Sequence, residues 1–260
     1  MESRPEPSKL LTLFLASRPS FLTASAAPIL VGSALGYAAA GTFSLALFIL
    51  ALLSIMALHA GANMANDYFD HISGNDWLNP NPTPFSGGSR YIQNDILPAK
   101  AIILTALFFL TAGSILGLII VLMTRSLFIL GIGIIGALGG FFYTAPPLKL
   151  GYRAVGESII AILFGLLPVY GAYYLQTRTL DTIVLLPAAI VAILIFLVIL
   201  INEFPDLNAD AAVNKKTLVV SLGVPASIWI YRIAIIATFI LSLIHISEPT
   251  RPLYISYAVF

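Results

Sequence analysis

Asn63-Met-Ala-Asn66-Asp67-Tyr-Phe-Asp70-His-Ile-Ser-Gly74-Asn-Asp76 closes a run that has carried no charged residue since Arg18. About 20 apolar residues cross a hydrocarbon core, so the run holds two membrane helices joined near Gly41-Thr42. Asn63, Asp67 and Asp70 fall at i, i+4 and i+7, one stripe of a helix. A second stretch, Asn202-Glu203-Phe-Pro205-Asp206-Leu-Asn-Ala-Asp210, repeats the pattern at i, i+4 and i+8. It too ends a very apolar segment, and Pro205 is expected to loosen or kink its helix. Two acidic helix ends in matching places predict two related halves meeting at a central cavity.

Composition supports this reading. The chain has 260 residues, 59% of them hydrophobic and only 10% charged, with a mean hydropathy of +0.96. These values lie outside the soluble globular range. Further apolar spans run over 101–123, 127–143, 158–176, 182–201 and 228–246. The expected fold is therefore all-α: a multi-pass transmembrane bundle of seven spans in pseudo-symmetric halves. Residues 8–17 read as a short interfacial helix before the first span. A net charge of +1 argues against nucleic acid or an acidic partner, and the absence of Cys removes disulfides and thiolate chemistry.

Lys and Arg set the expected orientation. With the N-terminus inside, Arg4, Lys9, Arg18, Arg90, Lys100, Lys149, Arg153, Lys215 and Lys216 are cytoplasmic, against Arg125 and Arg178 outside. Both acidic clusters then share the cytoplasmic face. The stretch 71–99, rich in Pro, Gly and Asn, follows the first cluster directly and reads as a lid over it. The stretch 202–222 is its counterpart in the second half.

Clustered carboxylates in an apolar protein repel one another and resist dehydration, so a cation among them is expected. All-oxygen donors point to Mg²⁺, which takes one or two carboxylates and completes its shell with water and phosphate oxygens. His59, His71 and His245 share no spacing that suits zinc. Gly131-Ile-Gly133-Ile-Ile-Gly136 satisfies GxGxxG, but it lies within an apolar span with no strand before it. It reads as close helix packing, as do Gly113 and Gly117.

Four motifs in order now resemble a family. They are Asn66-Asp67-Tyr-Phe-Asp70-x-x-x-Gly74-x-Asp76, Pro84-Phe-Ser-Gly-Gly-Ser-Arg90, Phe142-Tyr143-Thr-Ala-Pro-Pro-Leu-Lys149-Leu-Gly-Tyr-Arg153, and Asp206-x-x-x-Asp210 leading to Lys215-Lys216. Together they are similar to the UbiA superfamily of intramembrane aromatic prenyltransferases. The closest likeness is to the branch that prenylates 1,4-dihydroxy-2-naphthoate for menaquinone. The resemblance implies nine helices around a cavity capped by cytoplasmic loops. It implies Mg²⁺ on Asp67, Asp70, Asp206 and Asp210, with Asn63, Asn202 and Asp76 nearby. Lys149, Arg153, Arg90 and Lys215 become candidates for the diphosphate, and Tyr143 for the allylic cation. The basic residues also read as membrane-interface anchors, and Tyr143 as an interfacial aromatic. The expected partners are a prenyl diphosphate, an aromatic acceptor and membrane lipid, and the expected location is the inner (cytoplasmic) membrane.

Glu203-Phe-Pro205 departs from the naphthoate branch, which leaves another aromatic acceptor open. A cation-coupled transporter is the reading from a different class. A carrier would place its acids near mid-membrane, whereas these lie at helix ends beside basic loops. Residues 242–260, with Glu248, Pro249, Arg251 and Pro252 close together, resemble a translated adapter sequence. The membrane domain is accordingly expected to span 1–241, followed by a non-native tail.

Overall fold

The computed structural model describes residues 8–80, 82–83 and 85–247. Helix α1 (Lys9–Ala16) starts at Ser8, whose Oγ accepts from the Leu11 N–H. It buries Thr12 and Ala16 and exposes Leu10, Leu11, Phe14 and Leu15, the division expected of a helix lying at an interface. The first half continues with α2 (Thr23–Ala40), α3 (Leu45–Ser73), a single turn α4 (Asn75–Leu78), α5 (Ala99–Thr124) and α6 (Leu127–Phe141). The second half opens with α7 (Gly156–Ala161), which passes through a π-helical turn (Ile162–Leu166) into α8 (Leu167–Thr177) as one span. Then follow α9 (Leu185–Ala212), the short α10 (Leu218–Leu222) and α11 (Val224–Ser247).

Lipid offers no hydrogen bonds, so apolar chain crosses it as helix with its backbone groups paired internally. Six of these helices are long and apolar enough to cross a membrane. The seventh apolar helix, α6, has 15 residues, about 22 Å at 1.5 Å per residue, and falls short of a ~30 Å core. Leu104, Phe108, Leu122, Ile134, Ile135, Ile233 and Phe239 point outward, as lipid-facing residues do. The chain is an integral membrane protein.

Matching pairs form in the two halves. The second span of each half, α3 or α9, packs against the span that follows, α5 or α11, and the first spans α2 and α8 pack on each other. Small residues bring α3 and α5 together. A Cβ on Gly61 would stand 2.7 Å from Leu110 Cγ, and one on Gly113 2.8 Å from the Ser54 carbonyl oxygen. Ser54 Oγ then donates to the Gly113 carbonyl at 2.8 Å. Close backbone approach of this kind drives association where lipid removes the hydrophobic drive.

One expectation changes. Gly131, Gly133 and Gly136 are not packing contacts: a Cβ at any of them meets no atom within 4 Å. Gly133 and Gly136 instead border an apolar cavity of about 300 Å³. Pro205 lies inside α9, which runs on to Ala212. Of the segment 242–260, α11 contains 242–247, and the remainder lies outside the described residues.

Candidate active site

The acidic ends of α3 and α9 meet at one cavity of about 180 Å³, and Lys215 joins them. Its Nζ donates to Asp70 Oδ2 at 3.1 Å and lies 3.4 Å from Asp210 Oδ1, with the lysine side chain 13% exposed and the two acids 6% and 2%. Burial alone would lower the Lys215 pKa, but Asp70 and Asp210 outweigh it and hold the ammonium well above its ordinary value. Lys215 stays charged because two buried carboxylates face it.

The remaining carboxylate oxygens are held by the stretch after α3. Asn75 Nδ2 donates to Asp210 Oδ1 at 2.8 Å, and Asn79 Nδ2 to Asp206 Oδ1 at 2.6 Å. The Gly87 N–H donates to Asp206 Oδ2 at 3.2 Å, and the Ser89 N–H to both oxygens of Asp67 at 3.2 Å. The loop can lie this close only because Gly87 and Gly88 take φ of +73° and +76° and lack a Cβ. A Cβ on Gly87 would meet Asn79 Nδ2 at 2.6 Å, and one on Gly88 would collide with the Asp76 carboxylate. The stretch read as a lid is thus bonded to both acidic clusters.

The sequence-predicted residues divide into two groups. Asn63, Asp70, Asp76, Tyr143, Asn202, Asp206, Asp210 and Lys215 all line the cavity. Asp67 is buried just behind it, paired with Arg18 Nη2 at 2.8 Å. Asn63 donates to the Ser17 carbonyl at 3.1 Å, which ties α3 to the end of α1. The other three basic candidates stand apart from the cavity. Arg90 donates to the Asp76 carbonyl and so fastens the loop. Lys149 is exposed, 4.9 Å above the Tyr152 ring, and the exposed Arg153 donates to the Leu148 carbonyl at 3.2 Å.

Burial, reinforced by the charges of Asp70 and Asp67, pushes the Asp76 carboxyl up to about 7. Burial also raises the Tyr143 hydroxyl, so this phenol stays protonated in the cavity wall. Tyr143 packs against Gly151, where a Cβ would stand 2.7 Å from its Cζ. Tyr152 donates to Asp70 Oδ1 at 3.3 Å, and burial followed by Asp70 pushes its hydroxyl up to about 12.

Sequence reasoning missed several participants. Arg18, read only as an orientation signal, enters the cavity and pairs with Asp67. Asn75 and Asn79 looked like turn residues. Glu157 and Glu203, buried beneath the second cap, accept from the Leu218 N–H at 2.8 Å and the Val219 N–H at 3.4 Å. They thereby anchor α10 and the Lys215 loop before it. The one signal for Glu157 was an acid immediately before an apolar span.

The UbiA prenyltransferase family matches residues 25–260 of this chain. The chain belongs to that family. It is 34% identical over 221 residues to the 1,4-dihydroxy-2-naphthoate octaprenyltransferase of Haemophilus influenzae, covering 83% of this chain and 70% of that protein. It is 30% identical over 237 residues to the 2-carboxy-1,4-naphthoquinone phytyltransferase of Synechocystis sp., covering 89% and 73%. The 1,4-dihydroxy-2-naphthoate octaprenyltransferase of Mycobacterium tuberculosis is 30% identical over 232 residues, covering 87% and 76%. This UbiA-family chain is a prenyltransferase enzyme.

Among the described residues, no three acidic side chains converge closely enough to enclose a metal ion by themselves. Asp70, Asp206 and Asp210 nevertheless present only oxygen donors to one cavity. That donor set fits a hard cation held by one or two carboxylates and otherwise by water and substrate oxygens.

Proposed function

We propose that this UbiA-family enzyme transfers a polyprenyl group from its diphosphate to an aromatic acceptor, 1,4-dihydroxy-2-naphthoate, in a Mg²⁺-dependent step of menaquinone synthesis. The observation that carries the reading is the single cavity at which the acidic ends of α3 and α9 meet Lys215 and Arg18. Relatives named as a 1,4-dihydroxy-2-naphthoate octaprenyltransferase and a 2-carboxy-1,4-naphthoquinone phytyltransferase support that acceptor.

Asp70, Asp206 and Asp210 would hold the ion, with Asp67 behind them. An ion held by these carboxylates would neutralise charge on the diphosphate. Lys215 and Arg18 face the same oxygens and stabilise the charge that develops as the C1–O bond breaks. The diphosphate leaves with the bonding pair, and the half-buried Tyr143 ring faces the allylic carbon that has lost it. A carbon of the electron-rich acceptor ring attacks that carbon, and the ring carboxylate departs as CO₂. The bonded loop limits water, which would otherwise capture the cation. The prenyl tail is taken up by the apolar cavity of about 300 Å³ between α3, α6 and α8.

The test is transfer of labelled prenyl diphosphate in membranes containing the full chain, with a panel of aromatic acids. Product is expected with 1,4-dihydroxy-2-naphthoate and Mg²⁺, and its formation should stop in excess EDTA. Unchanged turnover in EDTA would defeat the metal assignment, and transfer only to other rings would defeat the acceptor.

The location proposed is the inner membrane, with the site on the cytoplasmic side, a reading that the Lys and Arg distribution supports. Because the chain has no Cys, single cysteines at Ser73, beside the first acidic cluster, and at Asn214, beside the second, should react only with reagent supplied from the inner face. Labelling of either one from outside would separate the two acidic clusters and remove the shared site.

A further inference from the structure

We infer that His59 contacts the aromatic acceptor, its Nε2 hydrogen-bonding a hydroxyl of the acceptor ring; this rests on the transfer reaction proposed above. His59 stands on α3 eight residues before Asp67, about 12 Å deeper in the membrane. It is 9% exposed, and its remaining surface lines the same cavity as Asp70 and Asp210. Nδ1 lies 2.8 Å from Ser25 Oγ on α2, and Ser25 is fully buried. The Phe164 ring packs on the imidazole with centroids 4.7 Å apart. Ser25 and Phe164 together fix the ring plane. Nε2 is left as the polar atom to which the described residues give no hydrogen-bond partner. A polar atom left on a largely apolar cavity wall is a point at which a ligand hydrogen bond can form and fix the ligand's orientation.

The chemistry of the two substrates narrows what that partner is. A diphosphate needs several cationic donors, and Lys215 and Arg18, each paired with an acid of α3, supply them in the same cavity. A prenyl tail has no polar atom to offer. A ring hydroxyl both donates and accepts and so suits either imidazole tautomer, whereas the ring carboxylate only accepts and would suit one. Beside Phe164, the apolar residues lining the cavity include Ala62, Gly140, Ile160 and Ile195. A flat fused ring fits such walls, since pockets of this kind orient a ligand with few polar points.

The experiment measures transfer kinetics for the full chain with two acceptors, 1,4-dihydroxy-2-naphthoate and a monomethyl ether of it. His59→Phe is expected to raise KM for the dihydroxy acceptor about tenfold, the worth of one buried hydrogen bond. KM for prenyl diphosphate should stay within about twofold, and His59→Gln, which keeps a polar group in reach, should recover most of the loss. With the ether of the contacted hydroxyl, wild type and His59→Phe should differ little, because the two losses share one contact. If His59→Phe does not accumulate in the membrane, Ser25→Ala frees the imidazole without removing it and should raise the same KM about threefold. Equal losses on both substrates, or equal losses with the dihydroxy acceptor and both of its monomethyl ethers, overturn the inference and leave the proposed reaction standing. A wild-type chain that binds prenyl diphosphate but transfers to no aromatic ring overturns the reaction, and this inference with it.

Discussion

Asp206→Ala is expected to lower prenyl transfer about 10²–10³-fold, the usual consequence of removing one preorganised charge from a reacting site. Two effects combine. The substitution deletes a carboxylate facing the diphosphate, and it removes the acceptor for Asn79 and the Gly87 N–H. The loop bonded to that carboxylate then loses its anchor on α9. Asp67→Ala should have a similar effect by another route, because it strands the Arg18 guanidinium that now lies 2.8 Å from Asp67 Oδ1. Neither change alters an apolar core contact, so both variants should insert in the membrane at the wild-type level. Transfer within tenfold of wild type, measured at equal membrane content, would show that the reaction does not depend on these acids.

Lys215→Met should be the most damaging single substitution to folding and activity together. It removes the cation shared by Asp70 and Asp210, which are 6% and 2% exposed. Breaking a buried pair from one side costs about 3–5 kcal/mol, since the partner charge stays buried and uncompensated. The lower end applies here, because Asn75 still donates to Asp210 and Asn66 to Asp70. Thermal unfolding in detergent measures this loss. Adding Asp210→Asn to Lys215→Met should restore much of the stability and none of the transfer, which separates the structural part of Lys215 from its part in the reaction. A double variant that regains transfer would remove Lys215 from the diphosphate site.

Periodicity and charge were enough to place the helices. The run from Arg18 to Asp67, the long apolar spans that follow and the i, i+4, i+7 stripe are local properties of a chain that turns every 3.6 residues. They located both acidic helix ends and marked the 71–99 stretch as belonging to the first. The glycines show where local reading stops. Gly113 and Gly131 look alike in sequence, yet a Cβ on one would strike Ser54 and Leu58 while a Cβ on the other would meet nothing. Sequence gives a small residue, and only the neighbouring helix decides whether smallness is used.

The same limit governs the site. Sequence by itself determined that Asp67, Asp70, Asp206 and Asp210 lie at helix ends, because desolvated carboxylates survive in an apolar chain only where a counter-charge or water can reach them. It could not choose among the basic residues, since Arg18, Arg90, Lys149, Arg153 and Lys215 all satisfy the same orientation rule. Tertiary structure chose Lys215 and Arg18, bringing them to acids 145 and 49 residues away. It likewise brought Asn75 to Asp210 across 135 residues and Asn79 to Asp206 across 127. Helical spacing fixes which side chains share a face of one helix, but which faces meet depends on how closely small residues let the helices approach.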